Sequence, residues 1–105
     1  MRFVETPVFT EAIAESMPDD AYASIQAALI TRPDLGAVIP GSGGIRKVRW
    51  RLPGRGKRGG LRVIYFWEAA PEVFFMLYAY RKSDAQDLTQ AQIRFLRRLV
   101  AEEFK

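Results

Sequence analysis

The chain contains no cysteine and no histidine among its 105 residues. Without cysteine there is no disulfide framework, no thiol nucleophile and no cysteine-ligated zinc or iron–sulfur centre. Without histidine there is no Ser-His-Asp relay, no histidine-ligated metal and no imidazole acid–base chemistry. No metal and no cofactor is expected. Long apolar runs are missing too: the longest, Val73–Ala79, falls far short of the ~18 residues a membrane span requires. The N-terminal Met-Arg-Phe-Val-Glu-Thr-Pro lacks the apolar core of a secretion signal. The expected location is the cytoplasm, with no membrane contact. Chemistry is left to Arg, Lys, Tyr, carboxylates and backbone groups.

A further absence is local. From Leu35 to Trp67 there is no acidic residue, yet eight basic ones occur: Arg46, Lys47, Arg49, Arg51, Arg55, Lys57, Arg58 and Arg62. That stretch carries +8, so the remaining eight basic and 12 acidic residues leave −4 elsewhere and +4 overall. All eight glycines lie within Gly36–Gly60. One concentrated positive field on an otherwise ordinary chain fits a polyanionic partner. The alternative is a solvated basic hairpin kept for solubility.

With 49% hydrophobic and 12% aromatic residues, the chain suffices for one domain, 1–105, with a core of its own. Arg2–Thr6 reads as a short strand closed by Pro7. Phe9, Ala12 and Ile13 mark a short helix failing near Ser16–Met17. Pro18, Asp19 and Asp20 favour a second helix start, with Tyr22, Ile25, Ala28 and Leu29 on its apolar face and Pro33 as its stop. Asp34–Gly44 reads as a loop. Ile45–Leu52 alternates, with Arg46, Val48, Trp50 and Leu52 on one face and Lys47, Arg49 and Arg51 on the other. Pro53–Gly60 forms a long hairpin tip. Leu61–Glu68, apolar on both faces, reads as a central strand. Val73–Tyr80 follows as the last strand, with Val73, Phe75 and Leu77 opposite Phe74, Met76, Tyr78 and Tyr80. Thr89 and Gln92 have capping-box spacing before an apolar stripe of Ile93, Leu96, Leu99, Val100 and Phe104. The order β-α-α-β-β-β-α predicts a small α+β domain: two N-terminal helices on an antiparallel sheet, then a C-terminal helix.

The tip Pro53-Gly-Arg-Gly-Lys-Arg-Gly-Gly60 mixes three cations with four glycines, which let backbone N–H groups approach a phosphate. It lacks the order of a phosphate-binding Walker loop, and no helix follows it. Gly41-Ser-Gly-Gly44 precedes a strand and is no dinucleotide fingerprint. The tip suits gripping a nucleic-acid backbone. Arg62 is different. A cation inside an apolar central strand is costly to desolvate without a counter-charge or a wet groove. It is either ion-paired with Glu68, Glu72 or an N-terminal carboxylate, or held rigidly where phosphate charge collects. Tyr80 and Lys82 leave the next strand toward the same cleft, where a phenol can stack on a base.

These residues also carry a resemblance. Asp34-Leu-Gly-Ala-Val-Ile-Pro-Gly-Ser-Gly-Gly-Ile-Arg-Lys-Val-Arg49, Gly56-Lys-Arg-Gly-Gly-Leu-Arg-Val-Ile-Tyr65 and Tyr80-x-Lys82 with Asp87-Leu88 resemble, in order and spacing, the HigB-like toxins of the RelE/ParE superfamily over nearly the whole chain. The resemblance implies a RelE-like domain and a type II toxin cleaving mRNA on the 70S ribosome without a metal, by 2′-OH attack on the adjacent phosphate. It implies a catalytic group of Lys57, Arg62, Tyr80 and Lys82. Arg46, Lys47, Arg49, Arg51, Arg55 and Arg58 would contact RNA or ribosome. It further implies a cognate antitoxin, a helix-turn-helix DNA-binding protein. Such chemistry suits the composition, because a lysine crowded by cations has a depressed pKa and arginines stay protonated. Several superfamily members place a Tyr or His from near the C-terminus in the active site. Here the last tyrosine is Tyr80, so either Tyr80 takes that role or Lys and Arg act alone. Other outcomes are a gyrase poison of the ParE branch, which generally lacks the ribonuclease site, and a non-catalytic nucleic-acid-binding module.

Overall fold

The computed structural model describes residues 1–17, 19–51, 60–82 and 87–103, with backbone alone for Ser16, Asp19 and Asp20. The expected helix-starting roles of Pro18, Asp19 and Asp20, the hairpin tip as far as Gly59, and Phe104 lie outside the described residues and side chains. Strand β1 (Arg2–Glu5) leads into helices α1 (Pro7–Ser16) and α2 (Asp19–Thr31). Strands β2 (Ala37–Val38), β3 (Arg46–Arg51), β4 (Gly60–Glu68) and β5 (Val73–Arg81) follow, and helix α3 (Gln90–Glu103) closes the order.

The helix ends follow local chemistry. Thr6 caps α1 by accepting the Phe9 N–H on Oγ1 at 3.0 Å, with Pro7 inside the first turn, where its missing N–H costs nothing. Phe9, Ile13 and Met17 recur at four-residue spacing and are buried. Thr89 and Gln92 close the expected capping box at α3: the Gln92 N–H reaches Thr89 Oγ1 at 3.1 Å and the Thr89 N–H reaches Gln92 Oε1 at 2.8 Å.

The sheet order is β1-β5-β4-β3-β2. β2 through β5 pair antiparallel, as expected, with β4 central; β1 joins β5 in parallel, which makes the sheet mixed. β2 lies inside the expected Asp34–Gly44 loop, because Ala37 and Val38 find partners in Lys47 and Arg46. One face carries α1 and α2, with Phe9, Ile13, Ile25 and Leu29 on Val48, Leu61, Val63, Tyr65, Phe74 and Met76. On the other face Ile93, Leu96 and Val100 of α3 meet Ile39, Ile45, Ile64, Phe75 and Leu77.

The alternation expected for β5 fails halfway along. Tyr65 pairs with Met76 but Ile64 pairs with Tyr78, so Leu77 is an extra residue, a β-bulge. Beyond it every side chain changes face. Tyr78 and Tyr80 therefore join Phe75 and Leu77 on the α3 side, and Ala79 packs with Phe74 and Met76 beneath the helical pair.

Candidate functional site

The bulge determines what stands beside Arg62. Strand register places Arg49, Arg62 and Tyr80 side by side across β3, β4 and β5, at the ~4.8 Å spacing of neighbouring strands. Lys47, Ile64 and Tyr78 make the next row toward α3. On the other side Arg51 pairs with Gly60, whose carbonyl accepts the Lys82 N–H at 3.1 Å. The α3-side face thus carries Lys47, Arg49, Arg51, Arg62 and two tyrosines, with Lys82 at its end.

Arg62 is 8% exposed. Among the described residues the ion pairs are Arg32 with Asp34 and Lys47 with Asp87, so no described carboxylate pairs with Arg62. Glu68 lies opposite Val73 at the far end of β4, about 20 Å away at ~3.3 Å per residue. Glu5 accepts from Thr10 Oγ1 at 2.7 Å and from Tyr22 Oη at 2.9 Å.

Tyr80 is 6% exposed, and its buried hydroxyl has no hydrogen-bond partner among the described residues. Its ring stacks on Tyr78 with centroids 5.9 Å apart and planes at 30°. Burial pushes the phenol above its usual value and Asp87 adds to the rise, while Arg62 and Arg49 pull the other way. The Tyr80 phenol therefore stays protonated at neutral pH. Asp87 Oδ1 takes Lys47 Nζ at 3.2 Å and the Leu88 N–H at 3.0 Å. These two bonds, the lysine first, hold its carboxyl below the usual range.

Arg49, Arg51, Arg62, Tyr80, Lys82 and Lys47 are thus gathered on one face; Arg46 is not. Its Nη1 donates to the Gly36 carbonyl at 2.7 Å, on the side of the sheet where Tyr65 donates to Pro33 O at 2.7 Å and accepts the Gly36 N–H at 2.9 Å. A Cβ at Gly36 would stand 2.9 Å from the Lys47 carbonyl and 3.0 Å from the Tyr65 ring, so the backbone runs too close there for any side chain. Arg55, Lys57 and Arg58 lie outside the described residues. Sequence reasoning missed Tyr78 and Asp87 as neighbours of the row. The bulge hid Tyr78; Asp87 was visible only as part of a motif, with no sign that it reaches Lys47.

The chain is a small α+β domain in which the Arg62 guanidinium has no described counter-charge and the Tyr80 hydroxyl no described hydrogen-bond partner, beside Arg49. Residues 11–105 match the model of the family described as the RelE toxin of the RelE / RelB toxin-antitoxin system. The chain belongs to that family, whose members pair with a cognate antitoxin. Among the described residues no helix is long and apolar enough to cross a membrane.

Proposed function

We propose that residues 1–105 form one HigB-like toxin domain acting in the cytoplasm as a ribosome-dependent mRNA endoribonuclease. The observation that carries this reading is the Arg49–Arg62–Tyr80 row, a buried cation without a described counter-charge beside a protonated phenol without a described partner. A phosphate entering the row supplies acceptor oxygens that neither group finds among the described residues. The RNA 2′-OH attacks the adjacent phosphorus and gives its proton to a lysine amine, Lys57 or Lys82. Arg62 and Arg49 stabilise the charge on the five-coordinate phosphorus. The bond to the 5′-oxygen breaks, that oxygen takes a proton from Tyr80, and a 2′,3′-cyclic phosphate and a 5′-hydroxyl remain. The phenolate left behind faces two arginines until it is reprotonated.

Arg51, Arg55 and Arg58 supply attraction and register against RNA phosphates, with Lys47 beside the row and Arg46 bracing the 34–36 segment behind it. The antitoxin is a helix-turn-helix DNA-binding protein. Primer extension on translated mRNA tests the reading: cuts should appear on 70S ribosomes, and free RNA should be cut poorly. Inhibition of gyrase supercoiling without such cuts refutes it in favour of the ParE-type activity. RNA binding without cuts refutes it in favour of a passive module.

A further inference from the structure

One carboxylate stands among the cations of this face. Asp87 Oδ1 holds Lys47 Nζ at 3.2 Å, and among the described residues no other cation of the face is in an ion pair. The two residues are forty apart in sequence. The Lys47 side chain is 20% exposed and that of Asp87 68%. An ion pair with so exposed a partner contributes little to stability. In a field that collects phosphate, a carboxylate also repels the ligand. Its presence there calls for a role in the site.

The carboxylate is carried on a well-anchored stretch of backbone. Its Oδ1 also accepts the Leu88 N–H at 3.0 Å, and the Thr89–Gln92 capping box closes directly after it. Leu88 packs on the α3-side core. It also lines an apolar groove of about 600 Å³ between α1 and α3, whose floor is Leu77 and Tyr78. Lys47 shares its cross-strand row with Ile64 and Tyr78, one row from Arg49, Arg62 and Tyr80. Residues 87 and 88 thus reach from a β3 cation to the β5 side along the α3 edge of the cationic row. The charge is felt there: after burial, Asp87 is the largest influence holding the proton on Tyr80, against Arg62 and Arg49.

Lys47 and Arg49 lie two residues apart on one face of β3, about 7 Å at ~3.3 Å per residue. A free Lys47 ammonium would offer an RNA chain a second seat, one row nearer α3. A phosphate in that seat would meet Ile64 and Tyr78 where the first seat has Arg62 and Tyr80. We infer that Asp87 is a positioning residue for the row: it occupies the Lys47 ammonium, so that an RNA phosphate seats against Arg49 and Arg62. Asp87 touches neither the phosphate nor the reacting atoms and acts through Lys47. The resemblance placed Lys47 among the RNA contacts; here its ammonium is committed to Asp87. The consequence for turnover rests on the ribonuclease reading above, whereas the consequence for binding does not.

The test measures binding and cleavage separately on the full-length chain. Binding of a short oligouridylate, read by fluorescence anisotropy across a salt series, reports how many phosphates are held. Asp87→Asn should bind about 3-fold tighter or more at low salt, with a salt slope steeper by about 0.7, the share of one further phosphate on a single strand. Asp87→Glu keeps the charge and should keep the wild-type slope. Lys47→Met combined with Asp87→Asn should return the slope to wild type. On programmed ribosomes Asp87→Asn should lower the saturating single-turnover rate by about 10-fold, because the phosphate also occupies the wrong seat. Tighter binding with slower turnover is a split that a merely structural role does not produce. Unchanged affinity and slope in Asp87→Asn overturn the inference, as does weaker binding with a lowered Tm, which makes the pair a structural clasp. Tighter binding with an undiminished rate also overturns it, since a free Lys47 would then misplace nothing. If the wild-type chain cuts no RNA, the ribonuclease reading fails, and the binding series alone decides whether Asp87 withholds Lys47 from phosphate.

Discussion

Arg62→Met separates stability from activity at the centre of the site. The arginine is 8% exposed on the central strand, no described carboxylate pairs with it, and Arg49 stands directly across from it. Like charges directly opposite on a sheet cost roughly 0.2–1 kcal/mol. Replacing buried charge with an apolar side chain of similar volume is often neutral or stabilising by about 1–4 kcal/mol. Methionine keeps the length of the stem and its packing, so the variant should be more stable by about 1–3 kcal/mol. For a domain this size each kcal/mol raises Tm by roughly 4–8 °C. On the proposed reaction the same change removes the donor that stabilises developing phosphate charge, and single-turnover cleavage on programmed ribosomes should fall by about 10²–10³-fold. Both quantities are to be measured in one buffer, with ribosome binding measured separately. A lower Tm together with near wild-type cleavage would refute the reasoning and make Arg62 a structural residue.

Four other outcomes follow from the geometry. Tyr80→Phe removes a buried hydroxyl with no described partner, so thermal stability should hold or rise slightly while single-turnover cleavage falls by about 10²-fold or more; unchanged cleavage would return the proton transfer to the lysines. Tyr22, Tyr65 and Tyr80 are all pushed above the usual phenol value by burial. Above about pH 10 the unfolded chain therefore loses phenolic protons first, and their contribution, complete below that pH, is lost as pH rises through the folded values. Tm should be insensitive to these groups from pH 7 to 9 and fall above about 10, and Tyr65→Phe, which loses the bonds to Pro33 and Gly36, should cost about 1–3 kcal/mol at neutral pH. Thr89→Ala opens the α3 capping box and should cost about 1 kcal/mol in urea unfolding with an unchanged m-value.

Much of the fold was legible because local chemistry and periodicity agreed. Thr89 with Gln92 marked the start of α3, Pro7 the end of β1, and the two-sided apolar run of β4 marked the centre of the sheet. What was not legible depends on partners distant in sequence. β1 pairs with β5 in parallel across some seventy residues, and nothing in Arg2–Glu5 encodes that direction. Ala37–Val38 is a strand only because Lys47 and Arg46 lie opposite it. Arg46 looked like its basic neighbours, yet alternation sends it to the other face, where it binds the Gly36 carbonyl. Arg62 was legible as an anomaly, since a cation in an apolar strand contradicts its surroundings, and such contradictions gather at functional sites.

Leu77 is the irregularity that ties these observations together. In an unbroken ladder Tyr78 and Tyr80 would alternate with Leu77 and turn under α1 and α2, leaving Arg49 and Arg62 with no aromatic neighbour from β5. One extra residue brings both tyrosines to the α3 side, where Tyr80 completes the Arg49–Arg62 row and Tyr78 stacks on it. The same residue helps form the groove floor together with Tyr78. Bulges re-aim side chains next to sites at the cost of local pairing, and here a single bulge serves two surfaces. Tyr78 stacks on Tyr80 of the cationic row and also lines the apolar groove, so neither can be shifted along β5 without moving the other.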